Sequence, residues 1–260
     1  MTYDKDIREP LYDFLEEKYG HFRILEELNI GKSRADVVMV ANTALCGIEI
    51  KSDADSYARL AGQIRDYDRY FDRNLVVVGT KHAMHIEEHV PAHWGIITVE
   101  PVAGDGSLDF YMLREPKPNP SILWKKKLSL LWKPELAVIQ EHFSMPKYKN
   151  KSVDFITDKV SEKISGNKSG LLPGKLPQDD PAGNKKKAIE IPEDELQRLV
   201  CSILMERDYT TIAAQLREFR KSETQKKLEA EPDPFKKLAI LMNKPVVGRK
   251  RTRRRRSRFL

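Results

Sequence analysis

Two apolar, β-branched runs lie four residues apart near the start of the chain: RADVVMV (34–40) and LCGIEIK (45–51), joined by ANTA. Short runs rich in Val and Ile predict strands, and so brief a connection makes an antiparallel hairpin the economical pairing. Alternate residues of a strand face opposite sides, so Ile48 and Ile50 point into a core while Glu49 and Lys51 project together from the other face. Charged side chains aimed together from a central sheet are costly unless something pairs with them. Asp36, placed alongside across the hairpin, supplies a second carboxylate.

The flanking pattern predicts an α/β protein. Ile7, Leu11, Phe14 and Leu15 recur at helical spacing over 4–19, and Gly20 is a plausible stop. Residues 22–28 read as a strand. Leu60, Ile64, Tyr67 and Phe71 predict a second helix over about 57–71, with Asp53 and Asp55 at cap positions. NLVVVG (74–79) reads as a strand buried on both faces. Residues 82–90 are expected to be helical, and WGIITVE (94–100) and LDFYML (108–113) to be paired strands across GDGS. The order α-β-β-β-α-β-α-β-β defines a mixed sheet flanked by helices.

Beyond Pro116, Pro118 and Pro120 the pattern turns helical, over 121–142 and 151–164, with Trp124, Leu128, Leu131 and Trp132 as apolar anchors. A Gly-, Pro- and Lys-rich stretch reads as a linker. Pro192 opens a helix carrying Leu196, Leu199, Val200, Ile203 and Leu204. Further helices are expected around Ile212, Leu216 and Phe219 and around Phe235, Leu238 and Met242. The expected divisions are a core over 1–115, a helical extension over 116–164, a linker over 165–191, C-terminal helices over 192–245 and a disordered basic tail over 246–260.

The formal net charge is +7, but Arg249, Lys250, Arg251, Arg253, Arg254, Arg255, Arg256 and Arg258 crowd the tail. Without those eight, 38 basic residues face 39 acidic ones, so the basicity belongs to the tail and not to the body. Such a segment binds polyanions through counterion release, almost blind to sequence. The acidic, polar start argues against a secretory signal, and no apolar run is long enough for a membrane span, so a cytoplasmic protein is expected. Cys46 and Cys201, far apart, make neither a disulfide framework nor a zinc site.

Two carboxylates with waters form a hard oxygen site suited to Mg²⁺ or Mn²⁺. A lysine beside it can orient a water and stabilise charge developing on a phosphate. Asp36, twelve intervening residues and then Glu49-Ile50-Lys51 resemble the PD-(D/E)xK superfamily, whose fold is restriction-endonuclease-like; Ala35 stands where the name-giving proline would be. Gln63 and Tyr67, spaced four apart on one helical face, resemble the QxxxY pair of its RecB-like branch. The string from EELNIG to VVVGTKH resembles small bacterial and phage proteins assigned to that superfamily, closely over about 4–115 and weakly to about 163. The resemblance implies that Asp36, Glu49 and the Ile50 carbonyl hold the metal, that Lys51 serves the attacking water, and that Gln63 and Tyr67 position DNA or the lysine. It implies DNA as the substrate and leaves a homodimer open.

Several other residues are weighed against plainer roles. Glu27, opposite in parity to Ile24 and Leu28, is the candidate for a further metal ligand, with an ordinary solvated glutamate at least as common an outcome. Arg59 and Arg65 are candidates to touch phosphate, or equally the solvated side of their helix. His82, His85 and His89 have ligand-like spacing but no accompanying acids or cysteines, so surface positions are favoured. Lys147, Lys149 and Lys151 form a basic loop between helices, more simply a solvated charge run.

The sequence therefore predicts a Mg²⁺- or Mn²⁺-dependent nuclease hydrolysing DNA phosphodiester bonds, with a tail for non-specific nucleic-acid binding. The alternative is a catalytically silent nucleic-acid-binding or adaptor protein on the same fold.

Overall fold

The computed structural model describes residues 4–104, 106–165, 189–208, 225 and 229 of the chain. The chain divides into a unit of Met1–Glu206 and a unit of Arg207–Leu260, and every element described below belongs to the first. The helices expected around Ile212–Phe219 and Phe235–Met242, and the basic tail, lie outside the described residues.

The elements run α1 (Asp4–Tyr19), β1 (Arg23–Ile30), β2 (Ser33–Val40), β3 (Leu45–Lys51), a 3₁₀ turn (Tyr57–Arg59), α2 (Leu60–Tyr70), β4 (Arg73–Gly79), α3 (Thr80–Ala83), α4 (Ile86–His89), β5 (Gly95–Pro101), β6 (Leu108–Arg114), α5 (Trp124–Leu128), α6 (Lys133–His142), α7 (Val153–Ser161) and α8 (Glu193–Met205). The six strands form one mixed sheet in sequence order. β1–β2, β2–β3 and β5–β6 are antiparallel, whereas β3–β4 and β4–β5 are parallel. The 3₁₀ turn and α2 make the first parallel crossover, α3 and α4 the second. The class is thus α/β, a six-stranded mixed sheet flanked by helices and followed by helical segments, consistent with the expected restriction-endonuclease-like core.

Both faces of the sheet are covered. On one, Ile7, Leu11 and Leu15 of α1 pack with Val37, Ile48, Ile50, Val77 and Ile97. On the other, Leu60, Ile64 and Tyr67 of α2 meet Val38, Val76 and Trp94, and the later helices add Trp124, Leu128, Leu136, Ile139, Val160 and Val200. Each such aliphatic side chain, fully buried, contributes about 1.5–3 kcal/mol. The extension and α8 therefore share the core of the sheet, and the expected divisions at 115/116 and 191/192 fall inside one compact unit. A lysine helps to join them. The Lys127 ammonium, fully buried, donates to Asp72 Oδ1 at 2.6 Å and to Gln197 Oε1 of α8, and lies over the Trp124 ring. The two ends of the expected linker also meet, Ile164 bridging Ile191.

Two predicted helices are broken. The one expected over 82–90 divides into α3 and α4, because the His82 carbonyl accepts from His85 N and from the Tyr57 hydroxyl. The one expected over 121–142 divides into α5 and α6 at Ser129–Trp132. Pro134 brings no N–H and so fits only the first turn of a helix, and Glu135 caps the new start by accepting from Trp132 N at 2.7 Å.

Candidate active site

Asp36 sits where β2 parts from both neighbours. The β1–β2 register runs through Glu26–Val37 and resumes at Leu28–Ala35, and the β2–β3 register ends at Val37–Ile48. The backbone groups of Asp36 are taken instead by side chains from two helices. Tyr67 Oη of α2 accepts the Asp36 N–H at 3.2 Å, and Arg8 Nη1 of α1 donates to the Asp36 carbonyl at 3.2 Å. Released from the ladder, the Asp36 carboxylate turns to β3, where Oδ2 accepts the Ile50 N–H at 2.9 Å. That bond places Asp36 beside Ile50, between Glu49 and Lys51.

Glu49 and Lys51 share a face, as strand parity requires, and are nearly sealed at 1% and 3% exposure. The burial is tolerable because the charges are paired and hydrogen-bonded. Lys51 Nζ donates to Glu49 Oε1 at 2.6 Å and to Gln63 Oε1 at 3.1 Å, and Gln63 Nε2 also donates to Glu49 Oε1. Tyr67 Oη donates to Glu49 Oε2 at 2.7 Å. Gln63 and Tyr67, one helical turn apart, therefore grip both ends of the Glu49 carboxylate. Tyr67 fills both roles considered for it: its ring is fully buried in the core and its hydroxyl reaches the acids.

Burial first, and the nearby Glu49 carboxylate second, push the Asp36 carboxyl up to about 7 from 3.8, against the Ile50 N–H and Lys51, which favour its charge. Tyr67 is likewise held well above the usual phenol range by burial and by Glu49. Two acids that resist being ionised together are a place where a divalent cation is stabilised. Spare acceptor capacity exists, since each carboxylate oxygen has two lone pairs and Glu49 Oε2 and Asp36 Oδ2 each have one bond assigned. The donor set is small: no group of three or more His, Cys, Asp or Glu able to hold a metal gathers among the described residues. Asp36, Glu49 and the Ile50 carbonyl are a fit for a hard ion that keeps several waters.

These residues line an open groove of about 830 Å³. Arg59 and Arg65 both lie on its rim. Sequence reasoning missed three other rim groups, Lys32, Ser33 and Arg34, carried by the β1–β2 turn. Gly31 makes that turn with φ +58°, and a Cβ there would lie 2.8 Å from Asp66 Oδ1. It also missed Asp4 at the groove edge and the role of Arg8, for which the only sequence signal was the Asp4–Arg8 helical spacing.

Glu27 is a correction. It does not line the groove; its Oε1 pairs with Arg8 at 2.6 Å and its Oε2 with Arg34 at 2.5 Å. The parity used to choose it does not hold through β1, because Glu27 adopts φ 55° and the strand turns over there. Leu25, Leu28 and Ile30 consequently all face the α2 side of the sheet. Among the histidines, His82 is buried rather than on the surface. The Tyr57 ring lies 4.7 Å from the His82 ring and 4.2 Å from that of His89.

Fold and site together define an α/β protein with an acid–lysine cluster set in an open groove beside a mixed sheet. The family model described as Bacteriophage P4 protein cII matches residues 2–170, more than half of the chain, and the chain belongs to that family. No curated protein and no solved structure matches it. No helix among the described residues is long and apolar enough to cross a membrane.

Proposed function

We propose that the chain is a metal-dependent nuclease of the PD-(D/E)xK class, hydrolysing DNA phosphodiester bonds. One observation carries the reading: Asp36, Glu49 and Lys51, drawn from two strands, meet in a groove whose rim is cationic. Asp36, Glu49 and the Ile50 carbonyl would hold Mg²⁺ or Mn²⁺. When bound, such an ion polarises a phosphate oxygen and lowers the pKa of a water. Lys51, fixed by Glu49 and Gln63, orients the attacking water and offsets negative charge as it grows on the phosphate. Gln63 and Tyr67 hold Glu49 in place. Arg59 and Arg65 bind the substrate backbone, and the tail from Arg249 to Arg258 adds affinity that is almost independent of sequence. The second reading, a silent nucleic-acid-binding or adaptor protein, is supported by the closeness of the Lys51–Glu49 pair, which occupies one ligand oxygen.

The test is incubation of the full chain with linear, nicked, branched and single-stranded DNA in Mg²⁺ or Mn²⁺, beside Lys51→Ala and Asp36→Asn. Cleavage by the wild type that both substitutions remove supports the enzyme. Binding without cleavage on every substrate favours the silent module, and salt-insensitive or absent binding favours the adaptor.

A further inference from the structure

The catalytic groove does not end at the acids. A second hollow of about 380 Å³ adjoins it, and Lys32, Ser33, Gly62 and Arg65 line both. From there Arg69 and Lys126 carry the lining onto the start of α5, where Leu123 N donates to the Arg69 carbonyl at 3.0 Å. On α2 and the turn before it, Arg59, Gly62, Arg65 and Arg69 recur at spacings of three, three and four, which is one face of a helix. Leu60, Ile64, Tyr67 and Tyr70 are its buried face. At about 1.5 Å per residue the stripe from Arg59 to Arg69 is about 15 Å long.

Three features mark this stripe as a path for a polyanion. Its cations are uncommitted: Arg59, Arg65, Arg69, Lys126 and Lys32 make no side-chain ion pair among the described residues, while Lys18, Lys125, Lys127 and Lys159 do. The acid on the stripe is already held, Asp66 Oδ2 accepting from Ser33 Oγ at 2.7 Å and from Lys32 N at 3.2 Å. Gly62 keeps its middle low, since a Cβ there would meet only the Arg65 guanidinium, at 3.8 Å. The cations of this lining outnumber its one acid, Asp66, and a bound polyphosphate relieves their mutual repulsion.

We propose that a polynucleotide backbone leaves the acid cluster along this stripe, passing over Gly62 between Lys32 and Arg65 and on to Arg69 and Lys126. The inference rests on the nuclease reading for its starting point, but the binding it describes needs no metal. It makes α5 part of the substrate path.

The test uses the full chain in EDTA, so that nothing is cut, with a fluorescent single-stranded or duplex oligonucleotide titrated across a range of salt. The variant R65E/R69E/K126E is set beside K117E/K149E/R198E, which changes the charge equally at exposed sites off the stripe. The stripe variant should lose at least about tenfold in affinity and about 2–3 from the salt slope, the control less than about threefold. Equal losses overturn the path, and so does stripe-dependent binding to phosphatidylserine vesicles without an effect on the oligonucleotide. Acetylation footprinting of the wild type needs no variant: the oligonucleotide should protect Lys32 and Lys126 but not Lys117, and the reverse overturns the proposal. Adding Mg²⁺ separates the two readings. Stripe-dependent binding without cleavage leaves the path and removes the nuclease, and cleavage with binding indifferent to the stripe does the opposite.

Discussion

Tyr67 and Glu49 are joined by a 2.7 Å hydrogen bond from the phenol to Oε2, with the Tyr67 ring fully buried and Glu49 almost so at the floor of the groove. The same hydroxyl accepts the Asp36 N–H. Tyr67→Phe keeps the ring and strands both partners. It should cost about 1–3 kcal/mol in urea unfolding, and cleavage should fall further than stability because both acids lose their positioning. A variant as stable as the wild type would show that neither partner depends on Tyr67.

The raised Asp36 pKa sets a pH dependence. The folded chain holds this proton more tightly than the unfolded chain between pH 3.8 and about 7, so the metal-free protein loses stability as pH rises through that window. A shift of this size corresponds to at most about 4 kcal/mol, reduced to about 1–2 by partial exposure and screening. Asp36→Asn should flatten this part of the curve and raise the melting temperature above pH 7 in EDTA, while still accepting the Ile50 N–H.

Mg²⁺ or Mn²⁺ should act in the opposite sense. Added metal should raise the wild-type melting temperature above pH 7, with the gain fading as Asp36 protonates, because a ligand that binds only the folded state stabilises it by mass action. Asp36→Asn should abolish the gain. An equal rise in the variant would place the ion elsewhere.

Gly47 tests the coupling of core to site. A Cβ there would fall 2.2 Å from the Phe71 ring and 2.7 Å from Tyr67 Cδ1. Gly47→Ala should cost about 1–3 kcal/mol through overpacking. By pushing Tyr67 off Glu49 it should also lower cleavage at temperatures where the variant is still folded.

Lys127 tests how α8 is held. Lys127→Ala leaves Asp72 and Gln197 without their shared donor and should cost about 3–5 kcal/mol. Burial already lowers the Lys127 pKa, so Lys127→Met, which fills the space without a charge, should cost less. Chemical denaturation of both variants checks the order.

The sequence by itself determined the succession of strands and helices, the hairpin and the shared face of Glu49 and Lys51, because strand parity and helical spacing are local properties of the chain. It also placed Gln63 and Tyr67 on one side of α2. Only the tertiary structure decided that Asp36 leaves the ladder, since the Arg8 and Tyr67 bonds that release it come from helices on opposite faces of the sheet. Parity misled at Glu27, where a single residue of positive φ reverses the faces of a strand, and nothing in the side-chain pattern marks that reversal. The cationic stripe was half legible: Arg59 and Arg65 stand out on one helix, but Lys32 and Lys126 join them only because a glycine turn and the start of α5 are folded against it. Local spacing fixes which residues share a face, and packing between distant segments fixes what that face meets.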